Sequence, residues 1–432
     1  MNSPTFKTRR EFLRSSVLGG ALTWTVPSFI GATIDTLFAD SDGALTQRPT
    51  GKDAPILVVL QLAGGNDGLN TLVPFRNDHY HRARPTLGLK DADLLRLNDD
   101  FALHGALDGL KSLYDRGWLS LVHGVGYPNP NRSHFRSTEI WQTATDADRV
   151  ASQGWLGRYF DHACGGCDAS AAVCIGGEAP QALMGERPHG IVFQNPQQYR
   201  LASSVTGGSG TPEEELFRRL NSLDRSGTDL NAGGSIGAVG GARVRRGDTA
   251  PLDFLERVAL DAEVSSQRVR SLTGGPARGG YPANRLGREL EMVAKLILGG
   301  MGSRVYYVSH GGFDTHTNQR GSHDRLLQEL GGALQSFCED MQRTGNLQRV
   351  LVMTFSEFGR RVAENASRGT DHGAAAPLFI AGGAFKGGLF GRAPSLDPKD
   401  LDHGDVQHTV DFRSVYATVL ERHLKAPSAR IL

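Results

Sequence analysis

Residues Pro55-Ile56-Leu57-Val58-Val59-Leu60-Gln61-Leu62 form a short, nearly continuous apolar run, followed at once by Ala63-Gly64-Gly65-Asn66-Asp67-Gly68. A run of this length without polar alternation suits a strand covered on both faces of a parallel sheet. The paired glycines after it mark a loop at the strand's C-terminal end. Three later segments repeat the arrangement. Trp118–His123 runs into a Gly/Pro/Asn loop, Arg304–Ser309 into His310-Gly311-Gly312-Phe313-Asp314, and Arg349–Thr354 into Phe355-Ser356-Glu357-Phe358-Gly359. Helical patterns at 107–116, 252–272, 284–298 and 323–344 lie between them. Strand, polar loop, helix and strand again predict a doubly wound α/β fold, whose ligands collect beyond the C-terminal ends of the strands.

The rest of the composition agrees with one large α/β domain. The chain has 432 residues, 39% of them hydrophobic and 22% charged, which excludes wholesale disorder. Its formal charge, 47 − 46 = +1, supplies no field for gripping nucleic acid or anionic lipid. Glycine stands out at 55 residues, about 13% against roughly 7% in average usage, and predicts many tight loops. No repeat of 20–50 residues is visible, which argues against solenoids and propellers. Residues 55–424 read as the domain, with a Gly-rich insertion or lid at about 203–280, a linker at 40–54 and a tail at 425–432.

The N-terminus reads as an address. Thr8-Arg9-Arg10-Glu11-Phe12-Leu13 is a twin-arginine pattern, and no charge follows from Ser15 to Ile34. That stretch is a weakly hydrophobic signal region rather than a full membrane span. Residues 1–39 are therefore expected to engage the twin-arginine translocation machinery and deliver the protein to the periplasm or beyond. Cleavage after Ala39 is one outcome; an uncleaved membrane anchor is the other. Twin-arginine export carries folded proteins, which suits one that acquires a metal in the cytoplasm.

The polar residues of interest follow the buried strands. Asp67 comes after the first, Asp314-Thr315-His316 after the strand at Arg304, and Glu357 after the strand at Arg349, with Asp371-His372-Gly373 shortly beyond. Mixed carboxylate and imidazole ligands suit zinc or manganese. Asp314 and His316 are two apart, so an extended backbone points both side chains the same way. The alternative to a metal site is a hydrogen-bonded acid/His cluster of structural use. Ser133, in Asn129-Pro130-Asn131-Arg132-Ser133-His134-Phe135, opens a helical pattern at 134–143. It is either a nucleophile beside free helix N–H groups or a plain N-cap. Arg132 either clamps an anion or pairs with a surface acid. His323 opens its helix after Ser322, as ligand or first-turn polar residue; His403 or His408 could supply a late ligand, and Asp411 reads as an N-cap. Cys164-Gly165-Gly166-Cys167 lacks a second such pair for a four-thiolate site, Cys174 falls in an apolar strand, and Cys338 lies on a core face.

Five blocks together carry a family resemblance: residues 62–74 around Ala63-Gly64-Gly65-Asn66-Asp67-Gly68, Arg132-Ser133-His134-Phe135, Gly311-Gly312-Phe313-Asp314-Thr315-His316, Phe355-Ser356-Glu357-Phe358-Gly359-Arg360-Arg361 and Gly369-Thr370-Asp371-His372-Gly373. In this order they resemble the twin-arginine-exported "domain of unknown function 1501" family, grouped with the alkaline phosphatase/sulfatase-like superfamily. That resemblance implies a three-layer α/β/α sandwich with a mostly parallel sheet and a site for two metal ions. It matches Asp67 to the acid after the first strand, Ser133 to the nucleophile, and Asp314 with His316 to one metal. For the second, either Glu357 replaces the acid and His372 returns from the loop that holds Asp371, or the strand register differs. The function implied is hydrolysis of small or polymeric phosphate or sulfate esters; the alternative is a degenerate binding protein that keeps the fold and at most one ion.

Overall fold

The computed structural model describes residues 54–163, 169–186, 190–197 and 265–432. These fall into two compact units, one holding residues 195–197 and 265–274 and the other holding the remainder. In the smaller unit, residues 265–273 are helical. The signal segment, Cys164, Cys167 and the insertion through residue 264 lie outside the described residues, as does all of the linker but Ala54.

The larger unit is built on the strand run that opens the sequence, β1 (Ile56–Ala63). The other strands are β2 (Leu72–Val73), β3 (Leu94–Arg96), β4 (Ala102–His104), β5 (Leu119–Gly126), β6 (Ala172–Ile175), β7 (Gly190–Phe193), β8 (Val305–Gly311), β9 (Val350–Phe355), β10 (Ala376–Gly382), β11 (Gly388–Phe390) and β12 (Val410–Asp411). The main sheet runs β11-β5-β10-β9-β1-β8-β6-β7, with β12 also paired to β5. β1 lies in parallel between β8 and β9, and β6 is parallel to both β7 and β8. Only β10 is antiparallel to its neighbours, β5 and β9. A small antiparallel sheet, β2-β4-β3, sits over its own apolar cluster around Val73, Tyr80 and Val362.

The longer helices are α1 (Asp108–Asp115), α2 (His134–Thr143), α3 (Trp155–Ala163), α4 (Arg285–Leu298), α5 (Gln319–Arg343) and α6 (Phe412–Thr418). Period-two alternation splits β1 between two faces. Leu57 and Val59 join Tyr307 and Met353 in a core with Trp141, Trp155, Phe160 and Phe412 from α2, α3 and α6. Trp141 stacks on Phe412 at 4.4 Å and Trp155 on Tyr416 at 4.3 Å between ring centroids. Ile56, Val58, Leu60 and Leu62 are equally buried on the other face, where α1, α4 and α5 pack on one another and on β5, β8 and β10. The result is a three-layer α/β/α sandwich with a mostly parallel sheet. No helix among the described residues is long and apolar enough to cross a membrane.

Several boundaries differ from the pattern reading. β5 extends past His123 to Gly126, and β8 takes in His310 and Gly311. α5 starts at Gln319, so His323 lies one turn inside it and is buried. Burial pushes its imidazole down to about 4, against the pull of Asp67. The neutral ring meets Asn66 Oδ1 at 3.0 Å. Asp411 caps α6 by accepting from the Arg413 N–H, Cys174 lies in β6, and Cys338 is core.

The loops after β1, β5, β8 and β9 all emerge at one edge of the sheet. Because β10 runs against them, the segment leading into it reaches that same edge. Asp67, at the end of the β1 loop, is fully buried and bonded through Oδ2 to Arg84 Nη1 at 2.6 Å and Gln319 Nε2 at 2.5 Å. Arg84 is fully buried too, and also donates to Asn70 Oδ1, Val362 O and Arg361 O. Burial pushes the Asp67 carboxyl up, but Arg84, His323 and Gln319 together hold it below the ordinary range. Its contribution to stability is therefore present above the ordinary carboxylate pKa and lost as pH falls through the lowered one. Arg84→Met strands this charge and should cost about 3–5 kcal/mol in urea unfolding at neutral pH. Adding Asp67→Leu should return part of that loss; equal losses in the single and double variants would show that the stranded carboxylate is not the cause.

Candidate metal centre

Asp314 lies beyond β8, and three imidazoles turn towards it. His372 Nε2 is 3.1 Å and His316 Nε2 3.0 Å from its Oδ1, and His134 Nε2 is 3.5 Å from its Oδ2. His316 Nε2 and His372 Nε2 are 2.9 Å apart. His134, Asp314 and His372 each offer an atom within 4.8 Å of the others' atoms, the one metal-compatible group found among the described residues.

The other ring nitrogen of each imidazole faces a group that can only accept. His134 Nδ1 lies 2.9 Å from Glu357 Oε1, His316 Nδ1 3.1 Å from Asp371 Oδ1, and His372 Nδ1 2.8 Å from the Arg132 carbonyl. Each acceptor calls for a proton at Nδ1, and a ring carrying its single proton there presents a bare Nε2 lone pair. Three lone pairs and a carboxylate then converge with no proton between them. Left alone this arrangement is repulsive; it fits a cation. Nitrogens about 2.0–2.1 Å from a tetrahedral zinc stand about 3.3 Å apart, close to the separations seen here. The Nδ1 acceptors are the outer partners that fix ligand tautomer and orientation in such sites.

Local structure explains the placement. His134 is the first residue of α2, whose start is set by Pro130 in the loop before it. Its ring packs 5.0 Å from that of Phe358, and the His372 ring lies 4.3 Å from the same buried phenyl. Gly64 turns with φ of 117°, and a Cβ there would overlap the Asp314 main chain. Its N–H donates to Glu357 Oε1 at 2.7 Å. Glu357 is pinned further by Ser137 Oγ and by Trp141 Nε1, both donating to its carbonyl. Its Oε2 is buried without a partner.

Arg360 organises the loops. Fully buried, it donates to the carbonyls of Gly64, Gly65, Phe313 and Thr370 and, at 2.7 Å, to Asp314 Oδ1. Burial raises the Asp314 pKa, yet the hydrogen bond and charge of Arg360 outweigh it and bring the carboxyl down to about 2. The carboxylate is thus ionised across the neutral range. Asn365 bonds both Asp371 Oδ1 and the His316 carbonyl at 3.0 Å, fixing the pair.

The sequence-expected residues separate into groups. Asp314, His316 and His372 come together. Glu357 and Asp371 stand behind imidazoles instead of facing the centre. Asp67 is bonded to Arg84 through Oδ2, while its buried Oδ1 has no hydrogen-bond partner. Arg132 contributes its carbonyl, while its guanidinium turns to Asp405, with Nε 2.6 Å from Oδ2. Ser133 occupies the N-cap position of α2, is exposed, and makes no side-chain cap bond. His134 was not among the expected site residues; its one signal in the sequence was its place in the Arg132–Phe135 block.

Residues 256–429, less than half of the chain, match the family model described as "Protein of unknown function (DUF1501)". No curated protein matches the chain by sequence. Among solved structures, the sulfatase PsFucS1 from Pseudoalteromonas sp. is 11% identical with a TM-score of 0.35, over 79% of this chain and 65% of that one. The chain thus spans just under two thirds of that sulfatase. A protein in the alkaline phosphatase superfamily from Vibrio parahaemolyticus is 10% identical with a TM-score of 0.32, over 86% and 74% of the two chains. The phosphonate monoester hydrolase of Agrobacterium radiobacter is 12% identical with a TM-score of 0.31, over 86% and 76%. The segment that supplies Asp314, His316, Glu357, Asp371 and His372 is therefore the DUF1501-matching part of the chain.

Proposed function

We propose that the protein is a metal-dependent hydrolase of phosphate or sulfate esters, acting outside the cytoplasm after export through its Arg9-Arg10 signal. One observation carries the metal reading: the Nε2 atoms of His316 and His372 stand 2.9 Å apart, both within 3.1 Å of Asp314 Oδ1. His134, Asp314, His316 and His372 would hold the ion, with zinc or manganese suiting these donors. A bound divalent ion supplies Lewis acidity and lowers the pKa of a hydroxyl or water. The chain's own residues do the rest. Glu357, Asp371 and the Arg132 carbonyl keep the imidazole protons at Nδ1. Phe358 keeps water from the inner side of the His134 and His372 rings. Ser133, exposed beside His134, offers its Oγ as nucleophile, and the first N–H groups of α2 orient the anionic ester oxygens.

The second reading is a binding protein with one ion and no turnover. The turning of the Arg132 guanidinium to Asp405 favours it, because the expected anion clamp is otherwise engaged.

Protein folded in its native host should carry about one equivalent of zinc or manganese by elemental analysis, and His372→Ala should lose it. Less than half an equivalent in the unsubstituted protein would end the metal reading. With metal bound, aryl phosphates or sulfates should be turned over, and Ser133→Ala should fall by about 100-fold or more in kcat. Equal turnover would remove Ser133 as nucleophile, and turnover by neither would favour the binding protein. Export should stop when Arg9 and Arg10 are both replaced by Lys; secretion of that variant at the original level would remove the signal reading.

A further inference from the structure

Arg361 follows the keystone Arg360 but turns its side chain the other way. Its backbone is fixed on both sides: its N–H donates to the Asp371 carbonyl at 3.0 Å, and its own carbonyl accepts from Arg84 at 2.9 Å. The side chain, by contrast, is 41% exposed, and its one close ionic contact among the described residues is Asp405 Oδ1 at 3.5 Å, too long for a hydrogen bond. Asp405 is fully buried, its Oδ2 is already bonded by Arg132, and its Oδ1 has no hydrogen-bond partner. Two guanidiniums thus share one carboxylate, and Arg361 keeps its donor fork open. Asp371, the nearby acid, directs its Oδ1 at His316 and Asn365, and Arg361 acts on it only through charge.

The location matters as much as the charge. Residue 360 bridges to His372 across the loop, and the carbonyl of Arg132 holds the same imidazole. Arg132 thus lies one hydrogen bond from His372 and next to Ser133, and Arg361 one hydrogen bond from Asp371, the residue before His372. A half-exposed Arg with a pinned backbone and an open fork is suited to bidentate recognition of a carboxylate, sulfate or phosphate.

We propose that Arg361 reads a second anionic group on the substrate, so that the preferred ester is polyanionic, such as a unit of a sulfated or phosphorylated polymer. This rests on the hydrolase reading for the scissile ester, but the subsite can be tested without turnover. Metal-loaded full-length protein is titrated calorimetrically with phenylphosphonate and with 4-carboxyphenylphosphonate, which differ by one negative charge. The doubly functional probe should bind about tenfold more tightly. Arg361→Gln should bring the two affinities together, and Arg361→Lys should keep part of the difference, with metal content and unfolding midpoint measured to verify an intact site. Equal affinities in the unsubstituted protein, or a preference that survives Arg361→Gln, would overturn the proposal: Arg361 would then be only a counter-ion to Asp405 and Asp371. Hydrolysis of simple aryl esters without any such preference would sink the subsite and leave the hydrolase standing. A preference abolished by Arg361→Gln in a protein that cleaves no ester would support the subsite and sink the hydrolase.

Discussion

The site depends on one buried guanidinium. Arg360 is withdrawn from water, and a charged group so placed is tolerable only if its donors are satisfied. Five acceptors meet it, four of them main-chain carbonyls. Those carbonyls belong to the loop after β1, the loop after β8 and the segment leading into β10. One side chain therefore fixes the loops after β1 and β8 against its own, the connection from β9 to β10. Asp314 gains its position and its low pKa from the same group, which ties the geometry of the rim to the electrostatics of the centre.

The sheet was legible because buried parallel strands leave a plain trace: apolar runs such as Ile56–Leu62 and Val350–Thr354, each ended by glycine-bearing loops. Boundaries were less so. His310 reads as loop chemistry beside Gly311 and Gly312, but pairing with β1 carries the strand through it. α5 likewise begins before its apolar periodicity does, because Gln319 is drawn inward by hydrogen bonds to Asp67, Thr315 and Thr370.

The candidate centre was half legible. Asp314 and His316 carry a spacing signal, and His372 shares a block with Gly373. His134 has neither, since a single imidazole at a helix start looks like any polar first-turn residue. The pairing of Asp67 was illegible for a different reason. Its partner Arg84 is only 17 residues away, but the turn that unites them under Val362 is a tertiary event with no local pattern. Glu357 and Asp371 read as metal ligands from their places after the strands, yet whether an acid faces a centre or stands behind an imidazole is set by ångström-scale geometry that spacing does not encode.

The three imidazoles are not equally exposed to mutation. Glu357 and Asp371 are side chains, so a single codon change can erase the support of His134 or His316. His372 leans on the peptide carbonyl of residue 132, which every amino acid provides. Genetic drift at position 132 can thus alter the guanidinium and its link to Asp405 while leaving the orientation of His372 intact. The fold has insulated one of its three rings from substitution by wiring it to the main chain.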